Sequence, residues 1–385
     1  MIPYGRQDIS QSDIDAVIET LRGDWLTQGP AVPAFERDVG RYCQASYAVA
    51  ANSGTSALHL AYLAADLGPG DRLWTTPITF VATANAARYC GAVVDFVDID
   101  PVTGNMDPAA LERKLAHAKQ EGTLPKVVTP VHFAGLSCAM KPIAELASQY
   151  GFCIVEDACH ALGGRYESDP VGCCTYSDMT VFSFHPVKIA TTGEGGMVMT
   201  QREELRQRMV QLCSHGITKV REQMTGDHHG PWYYQQHELG FNYRLTDLQA
   251  ALGSSQLKRL DYFISERIKR AKIYDRELTS LPLTLPGRLD SAQSAWHIYV
   301  IRLRPDQTKV TRLALFKQLR EAGIGVNVHY IPVHTQPDYR RLGFQDGDFP
   351  EAERFYAQAI TLPLYPTLSE VDQNHVIKSL RRALS

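Results

Sequence analysis

The sequence predicts an α/β protein in which a seven-stranded, mostly parallel sheet lies between helices and a smaller α+β domain follows at the carboxyl end. Its first two thirds alternate short apolar runs with longer helical patterns, which is typical of strands joined by crossover helices. Its 385 residues are enough for one large and one small domain. Hydrophobic residues make up 44% of the chain and charged residues 21%, close to the averages for globular proteins, which excludes disordered and fibrous classes.

Seven apolar segments are the strand candidates of this sheet. They lie at residues 47–51, 72–76, 92–99, 126–133, 152–157, 179–184 and 196–200. Between them, segments 57–67, 81–89 and 143–150 carry apolar residues at helical spacing. The alternation predicts a largely buried sheet with helices packed against it.

The last third of the chain follows a different pattern. A long amphipathic stretch from Thr246 to about Leu281 predicts one connecting helix. The α+β tail after it consists of segment 296–303, a helical segment 312–322, segment 326–332 and a terminal helix after Ser369. We place the domain boundary near residue 255, which gives a large domain at 1–255 and a small domain at 256–385.

Charge and cysteine usage limit the classes of partner. The formal net charge of -3 provides no basic excess, which argues against nucleic acid or a membrane surface as the main partner. The eight cysteines form no C-x-x-C pair, so we expect no metal site and a reduced, cytoplasmic protein. The amino terminus lacks the pattern of a signal peptide. The uncharged run 47–65 contains too many polar residues for a membrane span and instead indicates a strand, a turn and a helix.

The turn after the first predicted strand, "NSGTSA", is the first candidate for a binding site. It places Gly54, Thr55 and Ser56 at the amino terminus of a helix, where free backbone N–H groups and the helix dipole favour an anion such as phosphate. Taken alone, the same residues favour an ordinary N-cap turn over an anion site.

Two later strands also end in polar residues that bear chemistry. Asp157 stands at the end of the fifth strand, where it is either a loop cap or a buried carboxylate that needs a cationic partner. Ser183 and then Lys188 follow the sixth strand, and Glu194 is the single acid between residues 183 and 196. Lysines are usually solvated, but Lys188 lies between two strands and is followed by glycines that allow close approach of another group.

These features together match the requirements of pyridoxal 5′-phosphate. The cofactor requires an anion site for its phosphate, an acid that keeps the pyridine nitrogen protonated, and a lysine that condenses with its aldehyde. Because the carboxyl ends of parallel strands meet at one edge of a sheet, we expect these groups to converge there. Phe80 after the second strand would stack on the ring, although core packing also explains a phenylalanine at this position.

Over nearly its whole length the chain resembles the DegT/StrS sugar aminotransferases, which have the PLP-dependent transferase fold type I. The motifs that carry the resemblance are "DWLTQGP" (24–30), "TPITFVATANA" (76–86), "PVHFAG" (130–135), "EDACHALG" (156–163), "SDMTVFSFHPVK" (177–188), "GEGGMV" (193–198), "SHGIT" (214–218), "GFNYRLTDLQAALG" (240–253) and "LPLYP" (362–366). Two positions depart from the family pattern, Cys159 where alanine is common and Ile189 directly after the lysine. A related branch with histidine in place of Lys188 performs dehydration, so the lysine favours transamination.

The resemblance implies a role for each candidate residue. Lys188 bonds the cofactor, Asp157 pairs with the ring nitrogen, and Phe80 stacks on the ring. His160 lies near the ring hydroxyl. The phosphate is held by Thr55, Ser56 and Ser183, next to Gly54, together with Asn242 of a second subunit, so the resemblance implies a homodimer with shared active sites. Thr27, His329 and Tyr330 are the candidates for substrate binding.

The same resemblance implies L-glutamate as amino donor and a UDP-linked 4-keto-6-deoxy-hexose with an N-acetyl group, a precursor of pseudaminic acid, as acceptor at its fourth carbon. The alternatives are a UDP-4-keto-pentose, which leads to 4-amino-4-deoxy-L-arabinose, and a dTDP-4-keto-6-deoxyhexose. A sensor that binds the cofactor without catalysis is the rival from another class. A nicotinamide dehydrogenase is disfavoured because G-x-G-x-x-G is missing after the first strand. A cysteine-dependent lyase is disfavoured because no basic residue adjoins Cys173 and Cys174.

Overall fold

The computed structural model describes residues 1–227 and 229–384, so Ser385, the last residue of the predicted small domain, lies outside it. A seven-stranded sheet forms the centre of the large domain. Its strands, in chain order, are β1 Tyr47–Ala51, β2 Arg72–Thr75, β3 Val93–Phe96, β4 Val127–Val128, β5 Cys153–Asp157, β6 Met179–Ser183 and β7 Gly196–Thr200. Each lies within one of the seven predicted segments, which confirms the α/β class.

The sheet order is β1-β7-β6-β5-β4-β2-β3. Strands β2 to β6 pair in parallel, whereas β7 is antiparallel to both β1 and β6. The sheet is therefore mostly parallel, as predicted. Strand β4 is much shorter than its predicted segment, because Pro130 lacks an N–H group that could continue the ladder.

Helices cover the sheet and extend into the carboxyl-terminal part of the chain. They are α1 Gln11–Arg22, α2 Ala31–Cys43, α3 Gly54–Ala64, α4 Ala82–Tyr89, α5 Pro108–Glu121, α6 Met140–Tyr150, α7 Glu203–Cys213, α8 Asp247–Leu257, α9 Leu260–Leu278, α10 Arg312–Glu321, α11 Pro337–Arg340, α12 Pro350–Gln358 and α13 Glu370–Leu384. Short 3-10 turns occur at Phe133–Gly135, Arg221–Gln223 and Val333–Thr335. Two-residue strands pair at Arg165–Tyr166 with Asp169–Pro170 and Ala292–Gln293, and at Ile217–Thr218 with Gln235–Gln236.

The prediction of a single connecting helix between residues 246 and 281 is wrong. Two helices, α8 and α9, occupy this stretch, and they are separated at Arg259, whose ψ of 7° is not helical. The Arg259 guanidinium donates to Asp13 at 2.6 Å and to the Asp8 carbonyl at 2.8 Å. This tertiary contact holds Arg259 at the break, and the apolar periodicity of the sequence does not record it.

The carboxyl-terminal part has its own small sheet. Strands β8 Leu283–Thr284, β9 Tyr299–Leu303 and β10 Ala359–Leu362 pair antiparallel in the order β8-β9-β10. Segment 326–332 forms no continuous strand, and in it Asn327 pairs with Thr361 as an isolated bridge. The terminal helix after Ser369 is confirmed as α13.

Helix α9 links two hydrophobic cores. Its first turn places Leu260 and Phe263 in a core against the seven-stranded sheet, whereas Tyr274 and Leu278 belong to a core against the small sheet. The boundary near residue 255 stays a prediction. Within residues 1–227 and 229–384, no helix combines the length and the apolarity needed to cross a membrane.

Candidate active site

A cavity of about 560 Å³ opens at the edge of the sheet where β1, β5 and β6 end. Open α/β sheets place ligands at this edge. The lining residues come from the loops after these strands and from the segment that begins α4. They are Asn52, Ser53, Gly54, Thr55, Leu58, Thr79, Phe80, Ala82, Thr83, Val131, Asp157, Cys159, His160, Ser183, His185, Lys188 and Glu194.

The amino terminus of α3 forms one wall of the cavity. Ser53 is the N-cap, and its hydroxyl accepts the Ser56 N–H at 3.1 Å. Gly54 and Thr55 are the first residues of the helix, and their backbone N–H groups have no hydrogen-bond partner within it. These N–H groups are therefore available to an anion. A Cβ added at Gly54 would lie 2.9 Å from the Ser183 Cβ, so the glycine allows the end of β6 to approach the helix.

The register of the antiparallel strand sets this approach. Gly196 at the start of β7 pairs with Ala51 on one side and with Ser183 on the other. A Cβ at Gly196 would lie 2.2 Å from the Ser53 carbonyl oxygen, so only glycine fits here without displacing the N-cap. The ends of β1 and β6 are thereby held together at one mouth of the cavity.

Asp157 ends β5 with a buried carboxylate that is fully hydrogen-bonded on both oxygens. Its Oδ2 accepts the Thr83 hydroxyl at 2.6 Å, and its Oδ1 accepts the Cys159 N–H at 3.2 Å. Both neighbours donate, which fixes the orientation of the carboxyl group. The carboxylate lines the cavity and is positioned to pair with a cation there.

Lys188 lies in the loop after β6, where its backbone N–H donates to the His185 carbonyl at 2.9 Å. Its side chain lines the cavity and forms no ion pair within the described part of the chain. Burial lowers the pKa of Lys188, whereas the nearby Cys159 and Asp157 act in the opposite direction. A lowered pKa increases the fraction of free amine, the form that condenses with an aldehyde.

Phe80 is 59% exposed although it is a large apolar side chain. It lines the cavity, and its ring centroid lies 6.4 Å from that of Tyr330. This exposure disagrees with the alternative that Phe80 is an ordinary core residue. Its ring face is available to a planar ligand.

His160 forms the other end of the cavity and is buried. Its Nε2 and the Tyr330 hydroxyl are 3.1 Å apart, and its ring centroid is 4.3 Å from that of His297. Burial, with a smaller contribution from the Lys188 charge, holds the pKa of His160 well below its usual range. The imidazole is therefore neutral at pH 7.

Cys159 and Ile189, the two residues that depart from the family pattern, lie in different surroundings. Cys159 lines the cavity, and its Sγ lies 3.5 Å from where a Cβ on Gly54 would be. Burial holds the pKa of the Cys159 thiol well above its usual range, so it is no thiolate nucleophile. Ile189 is buried in the core of the large domain.

Five predicted site residues do not line this cavity. Ser56 is buried in the first turn of α3, and Thr27 is exposed and pairs with Thr246. Asn242 is exposed, whereas His329 and Tyr330 lie behind His160, with His329 Nδ1 at 2.7 Å from the Thr361 hydroxyl. The other predicted residues, Gly54, Thr55, Phe80, Asp157, His160, Ser183 and Lys188, all line it.

Among the polar residues of the cavity that sequence reasoning did not assign to the site are Asn52, Ser53, Thr83 and His185. Asn52 and Ser53 precede Gly54 in the quoted turn, so their place in the chain could have indicated them. Thr83 contacts Asp157 across a separation of 74 residues, and no local pattern shows this contact.

Comparisons with known proteins identify the family of this chain. The model of the DegT/DnrJ/EryC1/StrS aminotransferase family matches residues 7–381. The spore coat polysaccharide biosynthesis protein SpsC of Bacillus subtilis is 39% identical over 383 residues, 99% of this chain and 96% of that protein. The UDP-4-amino-4,6-dideoxy-N-acetyl-beta-L-altrosamine transaminase of Campylobacter jejuni is 39% identical over 382 residues, again 99% and 96%. The solved structure of Helicobacter pylori PseC, an aminotransferase involved in the biosynthesis of pseudoaminic acid, superposes with a TM-score of 0.90 at 30% identity and covers 100% of this chain and 99% of that one.

The chain belongs to the DegT/DnrJ/EryC1/StrS aminotransferase family. It is a PLP-dependent sugar aminotransferase, as the sequence predicted. The residues of the cavity fit this cofactor: free helix N–H groups for the phosphate, a carboxylate for the ring nitrogen, a lysine for the aldehyde and an exposed aromatic ring.

Proposed function

We propose that this enzyme transfers the amino group of L-glutamate to the fourth carbon of a UDP-linked 4-keto-6-deoxy-hexose that carries an N-acetyl group. The observation that carries the proposal is the 39% identity, over 99% of the chain, to a transaminase named for such an aminated sugar. The likeness to PseC supports the same substrate class. The amino donor rests on the resemblance stated from the sequence.

Lys188 and Asp157 carry the chemistry in this proposal. When bound, the cofactor serves as an electron sink for the carbon that loses its proton. Lys188 Nζ is the amine that would bond the aldehyde of the cofactor, and as a free amine it would be the positioned general base and acid that moves the proton. Asp157 would pair with the ring nitrogen, and the Thr83 hydroxyl and the Cys159 N–H fix the orientation of its carboxyl group.

The remaining residues bind and orient. The N–H groups of Gly54 and Thr55 and the hydroxyl of Ser183 hold the phosphate, and Phe80 covers one face of the ring. Neutral His160, fixed by the Tyr330 hydroxyl, accepts or donates a hydrogen bond at the ring hydroxyl. We keep Thr27, His329 and Tyr330 as candidates for contacts to the sugar nucleotide.

The assembly in this proposal is a homodimer with shared active sites. Asn242 is exposed beside the mouth of the cavity and does not line its own site, as expected for a residue that serves the phosphate of the neighbouring subunit. All eight cysteines carry free thiols, which is usual in the reducing cytoplasm, where we place the enzyme.

The two half-reactions test this function directly. Addition of L-glutamate to purified protein loaded with pyridoxal phosphate should release 2-oxoglutarate and abolish the visible absorption of the lysine-bonded cofactor. Addition of the UDP-keto-sugar should then restore the absorption and yield the amino sugar. A sensor that only holds the cofactor would release no 2-oxoglutarate. If 2-oxoglutarate is released but the keto-sugar does not restore the absorption, the protein is still an aminotransferase and the proposed acceptor is wrong.

A further inference from the structure

Asn52 lies between the end of β1 and the N-cap of α3, and its polar groups make three contacts. Its Oδ1 accepts the Ser56 hydroxyl at 2.6 Å, and its Nδ2 donates to the Asn242 carbonyl at 3.3 Å. Its backbone N–H donates to the Tyr243 carbonyl at 2.7 Å. One side chain therefore joins the helix terminus that faces the phosphate to the segment that carries Asn242.

The contacts on the helix side determine where the hydroxyl protons point. An amide oxygen only accepts hydrogen bonds, so the Ser56 hydroxyl donates its single proton to Asn52 Oδ1. The hydroxyls of Ser53 and Ser56 are 2.9 Å apart, and Ser53 must be the donor in that pair. The Ser56 N–H in turn donates to the Ser53 hydroxyl. The Ser53 hydroxyl therefore donates to the Ser56 hydroxyl, which in turn donates to Asn52 Oδ1.

This arrangement limits which groups can bind an anion. The hydroxyl protons of Ser53 and Ser56 are already used in these hydrogen bonds. The donors that remain for an anion at this end of the cavity are the N–H groups of Gly54 and Thr55 and the hydroxyls of Thr55 and Ser183. Without the Asn52 acceptor, the Ser56 hydroxyl would be free to rotate, and the N-cap at Ser53 would lose its fixed orientation.

The contacts on the other side hold the backbone of Asn242. The Tyr243 N–H donates to the Cys213 carbonyl at 3.0 Å, and the Tyr243 hydroxyl lies 3.1 Å from His59 Nδ1 on α3. Asn52 contributes two of the bonds in this segment, to the carbonyls of Asn242 and Tyr243. The Asn242 side chain is exposed and projects from a backbone that Asn52 helps to hold.

We propose that Asn52 is a positioning residue for two cofactor sites, that of its own subunit through Ser56 and that of the neighbouring subunit through Asn242. The second part rests on the shared sites of the proposed function. Asn52 acts in both cases on the phosphate end of the cofactor and on neither the ring nor the aldehyde.

The first experiment compares binding of pyridoxal phosphate with binding of pyridoxal, which lacks the phosphate. We expect Asn52→Ala to weaken pyridoxal phosphate binding about tenfold, as for loss of one or two oriented hydrogen bonds, and to change pyridoxal binding less than about twofold. Asn105→Ala is the matched control, because Asn105 is a buried asparagine that donates to the carbonyls of Leu136 and Ser137 away from the cavity. The control should lower the melting temperature without changing the ratio of the two affinities. An equal loss for both ligands in Asn52→Ala would reduce Asn52 to a structural residue and overturn the proposal.

The second experiment isolates the effect on the neighbouring subunit. Mixed dimers with two affinity tags pair a reporter subunit of natural sequence with a silent subunit that carries Lys188→Ala, so the visible absorption of lysine-bonded cofactor reports one site. Adding Asn52→Ala to the silent subunit should weaken the reporter site, whereas adding Ser56→Ala there should leave it unchanged.

Adding Asn242→Ala to the silent subunit separates the two levels of the argument. If Asn242→Ala weakens the reporter site and Asn52→Ala does not, the two-site role of Asn52 is wrong and the shared site stands. If Asn242→Ala also has no effect, the shared site itself is wrong, and the two-site role falls with it.

Discussion

The Thr83 hydroxyl lies 2.6 Å from Asp157 Oδ2 and joins the first turn of α4 to the end of β5. Thr83 Oγ1 is also 2.7 Å from Thr79 Oγ1. A hydroxyl has one proton, and the short contact to a carboxylate is the stronger bond, so Thr83 donates to Asp157 and accepts from Thr79. The Asp157 side chain that faces the cavity is thus held in place by an uncharged residue of another element.

The first prediction follows from this bond. Thr83→Val keeps the shape of the side chain but removes the donor, so Asp157 Oδ2 loses a buried hydrogen bond, at a cost of about 1.5–3 kcal/mol. We expect roughly 10- to 100-fold lower kcat/KM for the amine transfer, with cofactor still bound. Thr83→Ser retains the hydroxyl and should restore most of the rate. Equal rates in Thr83→Val and the natural sequence would show that the bond is irrelevant to Asp157.

Lys188→Ala should abolish turnover and the visible absorption of lysine-bonded cofactor while leaving the melting temperature of the apoprotein nearly unchanged. The reason is that Lys188 supplies both the bond to the aldehyde and the proton transfer. Lys219→Ala is the control, because Lys219 is exposed and lies outside the cavity. Borohydride reduction followed by peptide mapping should place the cofactor label on Lys188, and a label on any other lysine would contradict the assignment.

The sheet could be predicted because most residues of its strands are buried and the strands are continuous apolar runs in the sequence. Asp157, Ser183 and Lys188 could be selected as candidates because Asp157 and Ser183 lie at the ends of such runs and Lys188 lies in the loop after one. The bond from Thr83 to Asp157 could not, since local patterns do not state which loops meet across a sheet edge. The break between α8 and α9 was hidden for the same reason, because the contact of Arg259 with Asp13 spans 246 residues.

Arg267 supports a stability prediction outside the cavity. It is 1% exposed, and its Nη1 donates to the carbonyls of Trp296, His297 and Leu364 at 3.2, 2.9 and 3.0 Å. Burial lowers its pKa to about 9, so it remains charged at pH 7. Arg267→Met would leave these buried carbonyls without their donor, at a cost of about 3 kcal/mol or more in the free energy of unfolding.

Chemical denaturation at pH 7 measures this loss. Arg267→Lys keeps a cationic donor and should recover part of it. Arg276→Met is the control, because the Arg276 side chain is 73% exposed and its removal should change stability by less than about 0.5 kcal/mol. A loss for Arg267→Met no larger than for this control would contradict the role of the buried guanidinium.

His59 predicts how stability responds to acid. Burial lowers its pKa from 6.5 to about 4, and its Nδ1 lies 3.1 Å from the Tyr243 hydroxyl. Between these two values the unfolded chain binds the proton and the folded chain does not. The contribution of neutral, buried His59 to the free energy of unfolding is therefore complete above pH 6.5, and it is lost as the pH falls towards 4.

His59→Gln preserves a polar partner for Tyr243 and does not titrate, so the melting temperature of this variant should fall less between pH 6.5 and 4 than that of the natural sequence. His117→Gln, at a position where the side chain is 71% exposed, should leave the pH profile unchanged. Parallel profiles for His59→Gln and the natural sequence would show that another group governs the acid response.

The last prediction concerns the sugar. The proposed acceptor differs from a UDP-4-keto-pentose in the group at the fifth carbon and in the acetamido group at the second. A site that hydrogen-bonds the acetamido group leaves buried polar groups unpaired when that group is missing, which reduces kcat/KM by about 10⁴-fold in favourable cases. Competition of the UDP-4-keto-6-deoxy-N-acetyl-hexosamine against the UDP-keto-pentose, with L-glutamate as donor, should therefore yield almost entirely the aminated hexosamine. A third competitor, a dTDP-4-keto-6-deoxyhexose without the acetamido group, tests the nucleotide and the amide together. Preference for either competitor would refute the proposed acceptor, whereas the family and the aminotransferase chemistry would stand, since Lys188 and Asp157 act on the cofactor whichever sugar is bound.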